Sequence, residues 1–285
     1  MKTLVSPKQL AKAIGVSESS VKRWCDDERL QATYTPGGHR KIKVTEALDF
    51  IRRSNHGLVD PKSIGMPLNV SNHRIEASTA CELLTAALIA GEEADCRSIL
   101  LDLYLQDIPL ETIFDSVLTP AFADIGQRWG CGQIEIYQER TACLICSKLL
   151  HGLEDSLPSP APSSPLAIGS TLTGDFYEIP TQMVSLVGRQ QGFRTKSLGG
   201  NLPVSTILQA VDKYSPKWVW LSVSYIAEKH YFAAEVNQLW DALSAQDIHL
   251  VLGGRALEHN IKSSISYTTC CDSMTDLANF LRIMK

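Results

Sequence analysis

Ser156 to Pro165 reads Ser-Leu-Pro-Ser-Pro-Ala-Pro-Ser-Ser-Pro, and four prolines in ten residues exclude a helix and favour an extended spacer. The two sides of that spacer follow different periods. After it, short apolar runs alternate with helical stretches: Leu166–Leu172 then Ile179–Gln191, Thr195–Leu198 then Val204–Lys213, Trp218–Val223 then Tyr231–Ser244, Leu250–Leu252, and a last pair near Ser266–Thr269 and Met274–Met284. This alternation predicts a parallel sheet with helices on both faces, an α/β Rossmann-like domain over residues 166–285. Ligands of such sheets bind beyond the carboxyl ends of the strands, which here are Thr173–Pro180, Gly199–Pro203, Ser222–Tyr225 and Gly253–Gly254.

Before the spacer, residues 76–155 show helical spacing, as in Ile113, Phe114, Val117, Leu118, Ala121, Phe122 and Ile125. Breaks near Gly91, at Asp107-Ile108-Pro109 and at Trp129-Gly-Cys-Gly predict four helices and a four-helix bundle. A further linker, residues 54–75, sets off a head of residues 1–53. In the head, Ser6-Pro7 caps a helix carrying Leu10, Ala13 and Ile14, Gly15 breaks it, and Ser17 caps a second helix with Val21 and Trp24 facing inward. Leu30–Tyr34 and Arg40–Val44 flank the turn Thr35-Pro-Gly-Gly-His39, the pattern of a β-hairpin wing, and Thr45 is placed to cap a third helix through Arg53. The expected fold class is therefore multi-domain: a winged helix-turn-helix, a four-helix bundle and a Rossmann-like parallel sheet.

The net charge of −4 conceals an asymmetry, because residues 1–53 carry eleven Lys and Arg against six Asp and Glu, leaving the remainder at −9. A basic head on an acidic body fits a nucleic-acid-binding segment, since the body repels phosphate everywhere except at the head. No apolar run reaches the ~20 residues that a membrane helix needs, and Met1 to Leu10 is polar, so the cytoplasm is the expected compartment and no membrane partner is expected. The eight cysteines are irregularly spaced, which argues for free thiols. Cys143-Leu-Ile-Cys146 lies in an apolar helical run without a second pair, so core cysteines and no metal site are expected there.

With Thr35-Pro-Gly-Gly-His-Arg-Lys-Ile42 following a capped second helix that ends in Trp24, the head resembles the MerR family of transcription regulators. That resemblance implies that Ser19, Ser20, Lys22 and Arg23 meet the major groove of double-stranded operator DNA. It places His39, Arg40 and Lys41 of the wing against phosphate or the minor groove. One short recognition helix and one wing cover a half-site, so a homo-oligomer, dimer or tetramer, is expected.

The C-terminal part resembles the cobalamin-binding domain of methionine synthase and corrinoid carriers, whose signature is Asp-x-His-x-x-Gly, then Ser-x-Leu/Thr, then Gly-Gly. Asp175-Phe-Tyr177-Glu-Ile-Pro180, Ser222-Val-Ser224 and Gly253-Gly254 stand at those positions with similar spacing. Small hydroxyls and a glycine pair suit a buried nucleotide tail, which needs hydrogen bonds and a close backbone approach. The cobalt-ligating histidine is replaced by Tyr177, whose phenol, with a pKa near ~10, is a poor ligand at neutral pH, and the glycine by Pro180. The middle part resembles the cap of light-sensing cobalamin regulators of the CarH and LitR type, in which a Trp and a Glu-His pair lie over the corrin. Trp129 is present, and Glu139-Arg140 stands at the pair's position, Arg140 being unable to bind a metal.

These resemblances imply a regulator, a repressor by the default of the CarH type, and no enzyme. No long heptad run follows Arg53 of the kind that joins other MerR dimers. Two further readings stay open: a corrinoid carrier or methyl-transfer component, for which the chain lacks a substrate barrel, and a regulator whose C-terminal module is purely structural. Any cobalamin is expected base-on, keeping its own dimethylbenzimidazole on cobalt.

Overall fold

The computed structural model describes residues 4–54, 56–66 and 75–284. The chain forms two compact units, residues 1–158 and 159–285, so the division falls inside the proline-rich run. In the first unit the order is β1 Leu4–Val5, α1 Pro7–Ile14, α2 Glu18–Asp26, β2 Thr33–Tyr34, β3 Arg40–Lys43 and α3 Val44–Ser54. Ser6 closes a capping box: its hydroxyl accepts from the Gln9 N–H at 3.2 Å while Gln9 Oε1 accepts from the Ser6 N–H at 2.8 Å. Gly15, at φ 69°, ends α1, and Ser17 caps α2 through the Ser20 N–H at 3.1 Å.

The small sheet has the antiparallel order β1-β3-β2. Its edge strand β1 was not expected, because two residues carry no period. Leu30, expected in a strand, instead lies fully buried behind α2, its N–H donating to the Trp24 carbonyl. Thr45 is not a cap: α3 starts at Val44, directly out of β3.

The segment expected as a linker after Ser54 packs against the head as far as Met66. A short 3-10 helix, Pro61–Ile64, forms there, and Leu58, Ile64 and Met66 join Val21, Trp24 and Phe50 in one core. Ala13 O accepts from the Val59 N–H at 2.7 Å. Residues 67–74 of that expected linker lie outside the described residues.

α4 Ala77–Ala90, α5 Glu93–Leu105, α6 Leu110–Ile113, α7 Thr119–Gly130 and α8 Ile136–Glu154 follow, and α4 packs against α5, α7 and α8. A π-helical stretch, Phe114–Leu118, joins α6 to α7, with Thr119 N–H reaching back five residues to Phe114 O. Pro120 explains it: proline has no N–H for the carbonyl four residues earlier and its ring crowds that carbonyl, so the helix widens just before it. The thiols of buried Cys96 and half-buried Cys143 are held protonated, desolvation raising both to about 12.

The second unit is a five-stranded parallel sheet of order β5-β4-β6-β7-β8, from β4 Leu166–Ser170, β5 Arg194–Ser197, β6 Trp218–Ser222, β7 His249–Gly253 and β8 Thr269–Cys271. The connecting helices are α9 Glu178–Gln190, α10 Val204–Tyr214, α11 Lys229–Ser244, α12 His259–Lys262 and α13 Met274–Ile283. This is the expected Rossmann-like architecture. β5 and β6 flank β4 on opposite sides, so the chain reverses its winding between β4 and β6, and the crevice at their carboxyl ends is the natural ligand position.

Within the first unit, α3 and α5 are clamped together. Arg52, its side chain 13% exposed, donates from Nε to Asp107 Oδ1 at 2.7 Å, and its guanidinium lies 4.6 Å from the centre of the buried Tyr104 ring. Planar stacking and a directed fork are properties of guanidinium that an ammonium lacks. Arg52→Ala is expected to destabilise this unit by about 1–2 kcal/mol in urea unfolding, and Arg52→Lys to recover less than half of the loss.

Candidate ligand site and nucleic-acid surface

α2 and the β2–β3 hairpin present the expected head residues unequally. Lys22 and Arg23 are exposed on α2, Lys22 pairing with Glu18 at 2.8 Å one turn earlier. Ser19 and Ser20 turn their hydroxyls to the Ser17 cap, at 2.8 and 2.9 Å. The hairpin tip is closed by Thr35, whose backbone N–H bonds the His39 carbonyl and whose hydroxyl accepts from the His39 N–H, leaving the His39 ring exposed. Lys41 is half-buried beside it.

Arg40 is arranged differently from the expectation. Its guanidinium donates to both carboxylate oxygens of Asp26, at 2.6 and 3.3 Å, and to the Lys22 carbonyl at 3.0 Å. It therefore ties the hairpin to the end of α2. Sequence reasoning missed Asp26, since nothing in the spacing pairs it with a residue fourteen positions on.

On the helical segment, Trp129 is 49% exposed at the end of α7. Glu139 is half-buried on α8, accepting from Cys143 Sγ at 3.4 Å and pairing with the largely exposed Arg140 at 3.4 Å.

In the second unit, Asp175 is 3% exposed. Its Oδ2 accepts from the Ser224 and Tyr225 N–H groups at 2.7 and 3.1 Å, and its Oδ1 from the Tyr177 N–H at 3.0 Å. One carboxylate thus joins the loop after β4 to the loop after β6. Tyr177 is 41% exposed and its ring lies 5.5 Å from the Arg255 guanidinium. Pro180 falls in the first turn of α9, where a missing N–H breaks no helical hydrogen bond. Gly254 has φ 130°, and a Cβ there would stand 2.2 Å from the Val223 carbonyl oxygen. The close approach that the glycine pair permits is that of the protein's own backbone.

Ser222, on the last residue of β6, is 3% exposed, and its hydroxyl has no hydrogen-bond partner in the structure. It lines a cavity of about 380 Å³ between the loops after β4 and β6 and the start of α11. Glu228, Tyr231, Phe232 and Glu235 line the same cavity. Sequence reasoning missed these four, although their i, i+3, i+4, i+7 spacing places them on one helix face.

Residues 80–153 match the family model of the B12 binding domain. The match spans helices α4 to α8 and leaves the parallel sheet outside it. The chain is also 23% identical over 268 residues to the HTH-type transcriptional repressor CarA of Myxococcus xanthus, covering 90% of this chain and 88% of that protein. A second relative, the HTH-type transcriptional repressor CarH of the same organism, is 27% identical over 185 residues. That match takes in 64% of this chain and 60% of CarH. The monomethylamine corrinoid protein of Methanosarcina barkeri superposes with a TM-score of 0.61 at 15% identity, covering 74% of this chain and all of that one, and shares the fold. The chain is thus similar to CarA and CarH, and cobalamin is supported as a candidate ligand.

The residues present do not fit a corrinoid whose cobalt is held by the protein. The loop position that would offer the lower ligand is a phenol facing a guanidinium. Trp218 and Trp220 are 0% and 1% exposed, and they close the sheet face toward α9. A Cβ at Gly169 would stand 2.1 Å from the Trp220 ring, and Trp220 Nε1 donates to Thr181 Oγ1 of α9 at 2.6 Å. Among the described residues, Trp218 and Trp220 thus fill the sheet face toward α9.

Removing the Asp175 carboxylate would leave three backbone donors of the two loops without their acceptor. Asp175→Ala is expected to cost about 2–4 kcal/mol of stability, read by urea unfolding followed through tryptophan fluorescence.

Proposed function

We propose that this chain is a DNA-binding transcriptional repressor, built from a MerR-type winged helix-turn-helix, a helical bundle and a Rossmann-like sheet, and that it has no catalytic role. The observation that carries the reading is the exposed Lys22–Arg23 face of α2 beside a hairpin whose tip projects His39 and whose base is fixed to α2 by Arg40. A recognition helix and a wing held at a set angle are what a half-site requires, and the homo-oligomer, dimer or tetramer, supplies the other half-site. The near full-length similarity to CarA supports the repressor role. No helix among the described residues is long and apolar enough to cross a membrane.

In this reading Arg23 contacts DNA directly, whereas Arg40 positions the wing. Arg23→Ala is expected to weaken binding to an operator selected from random duplexes by about 1–3 kcal/mol if it reads a base, or to flatten the salt slope by about one if it meets phosphate. Asp26→Ala separates the two roles by sign. Losing an acidic group near DNA tightens binding on charge alone, but losing the strut to Arg40 weakens it. Weakening of at least fivefold in a gel shift is expected, and tightening would make Arg40 a direct contact.

The corrinoid of this reading is bound base-on, because Tyr177 offers cobalt no competitive ligand and the α9 face of the sheet is closed. The group would supply a bulky ligand surface to the module, and no reaction step is assigned to it. Protein grown with nitrogen-15 histidine and loaded with cob(II)alamin should give an electron paramagnetic resonance spectrum unchanged by the label. A changed hyperfine pattern would mean that a histidine of the chain reaches cobalt.

A further inference from the structure

The cavity beneath the β4 and β6 loops has a chemistry that a corrinoid does not explain. Three carboxylates line it, Asp175, Glu228 and Glu235, and no lysine, arginine or histidine does among the described residues. Asp175 is already satisfied by three backbone N–H groups. Glu228 and Glu235 have no ion pair among the described residues, while the neighbouring Lys229 is committed to Glu258 at 2.9 Å. Glu235 is half-buried, and desolvation pushes its carboxyl above the usual carboxylate range. A half-buried carboxylate with no counter-charge and a buried serine hydroxyl with no partner both incur a desolvation cost that a bound ligand would relieve.

The remaining walls narrow the class of ligand. Tyr225 and Tyr231 are 53% and 70% exposed at the cavity, and Phe232 lies beneath them. Aromatic faces joined to uncompensated carboxylates attract an ammonium ion whose substituents are apolar. The volume, about 380 Å³, is that of a small-molecule site. The nucleotide tail of a cobalamin is a phosphodiester, and this wall repels an anion.

We propose that the cavity between Ser222 at the end of β6 and Glu228, Tyr231 and Glu235 on the face of α11 is a binding site for a small organic ammonium ion. Glu228 and Glu235 provide the counter-charge, Tyr225 and Tyr231 face the cation, and the Ser222 hydroxyl bonds a polar group on the ligand. The proposal does not rest on the corrinoid reading, although Asp175 and Ser222 are also positions that the cobalamin resemblance assigns to the nucleotide tail.

The test is calorimetric titration of the full-length chain with choline and, in parallel, with 3,3-dimethylbutan-1-ol, which has the same shape without the charge. Choline should bind at least tenfold more tightly than the neutral isostere, and its affinity should fall with added sodium chloride. Glu235→Gln keeps the shape and removes the charge, and should weaken choline at least fivefold while leaving the isostere unaffected. Glu228→Gln serves as the second variant if Glu235→Gln fails to fold. Tyr231→Ala should weaken choline by a similar factor. Equal binding of choline and the isostere would overturn the proposal, as would no detectable choline binding by the unmodified chain or full affinity in the folded glutamine variant. Adenosylcobalamin titrated separately reports on the corrinoid reading alone.

Discussion

Asp175 accepts three backbone hydrogen bonds at 2.7–3.1 Å in a place where water does not reach, and its own carbonyl accepts from Thr171 Oγ1 and the Asn201 N–H. A buried carboxylate is tolerated only when donors replace its hydration, and here the donors come from two loops that sequence separates by almost fifty residues. That exchange holds the loop after β4 against the loop after β6. The cavity walls, the setting of Tyr177 and the orphaned Ser222 hydroxyl all follow from it. Gly254 completes the arrangement by letting the start of the loop after β7 pass within van der Waals reach of Val223.

Charge separates the two proposed binding surfaces. At physiological ionic strength, fields between exposed charges fade over about 8 Å, so the overall charge of −4 decides little at either place. What matters is local: Arg23 and His39 lie exposed at the head, with Lys22 beside them paired to Glu18, and uncompensated carboxylates lie at the sheet cavity. Arg40 belongs with the first group by composition and apart from it by geometry, because Asp26 has already neutralised it.

The order of elements was legible in the sequence because each is announced by local chemistry. Ser6-Pro7, Gly15 and Ser17 mark the ends of α1 and α2, and the switch from helical to alternating apolar spacing marks the sheet. Strand β1 was illegible because it is two residues held only by its partner Ile42 and its neighbour Lys43. Residues 56–66 read as linker because their three buried apolar side chains fit no period, and only tertiary packing makes Leu58, Ile64 and Met66 core. At the site, Asp175, Ser222 and Gly254 were singled out by the resemblance to the cobalamin-binding signature, but the backbone atoms that meet Asp175 and Gly254 are distant in sequence and were not legible, nor was the lack of a partner for the Ser222 hydroxyl. Glu235 was not singled out because a glutamate on a helix is ordinarily solvated, and only the cavity beside it changes that.

The head is continuous with the helices that follow it. Leu101 of α5 belongs to the same buried cluster as Trp24 and Phe50, Leu105 packs on its edge, and Arg52 reaches from α3 to Tyr104 and Asp107. Cutting the chain after Arg53 would therefore expose Leu58, Ile64, Met66 and Leu101 together, a loss of core rather than a clean removal of a module. Apolar burial contributes about 25 cal/mol per Å², so four such side chains weigh more than the single charged contacts of the head. For this reason the proposed recognition surface is better tested by single substitutions on α2, which leave that core in place, than by truncation.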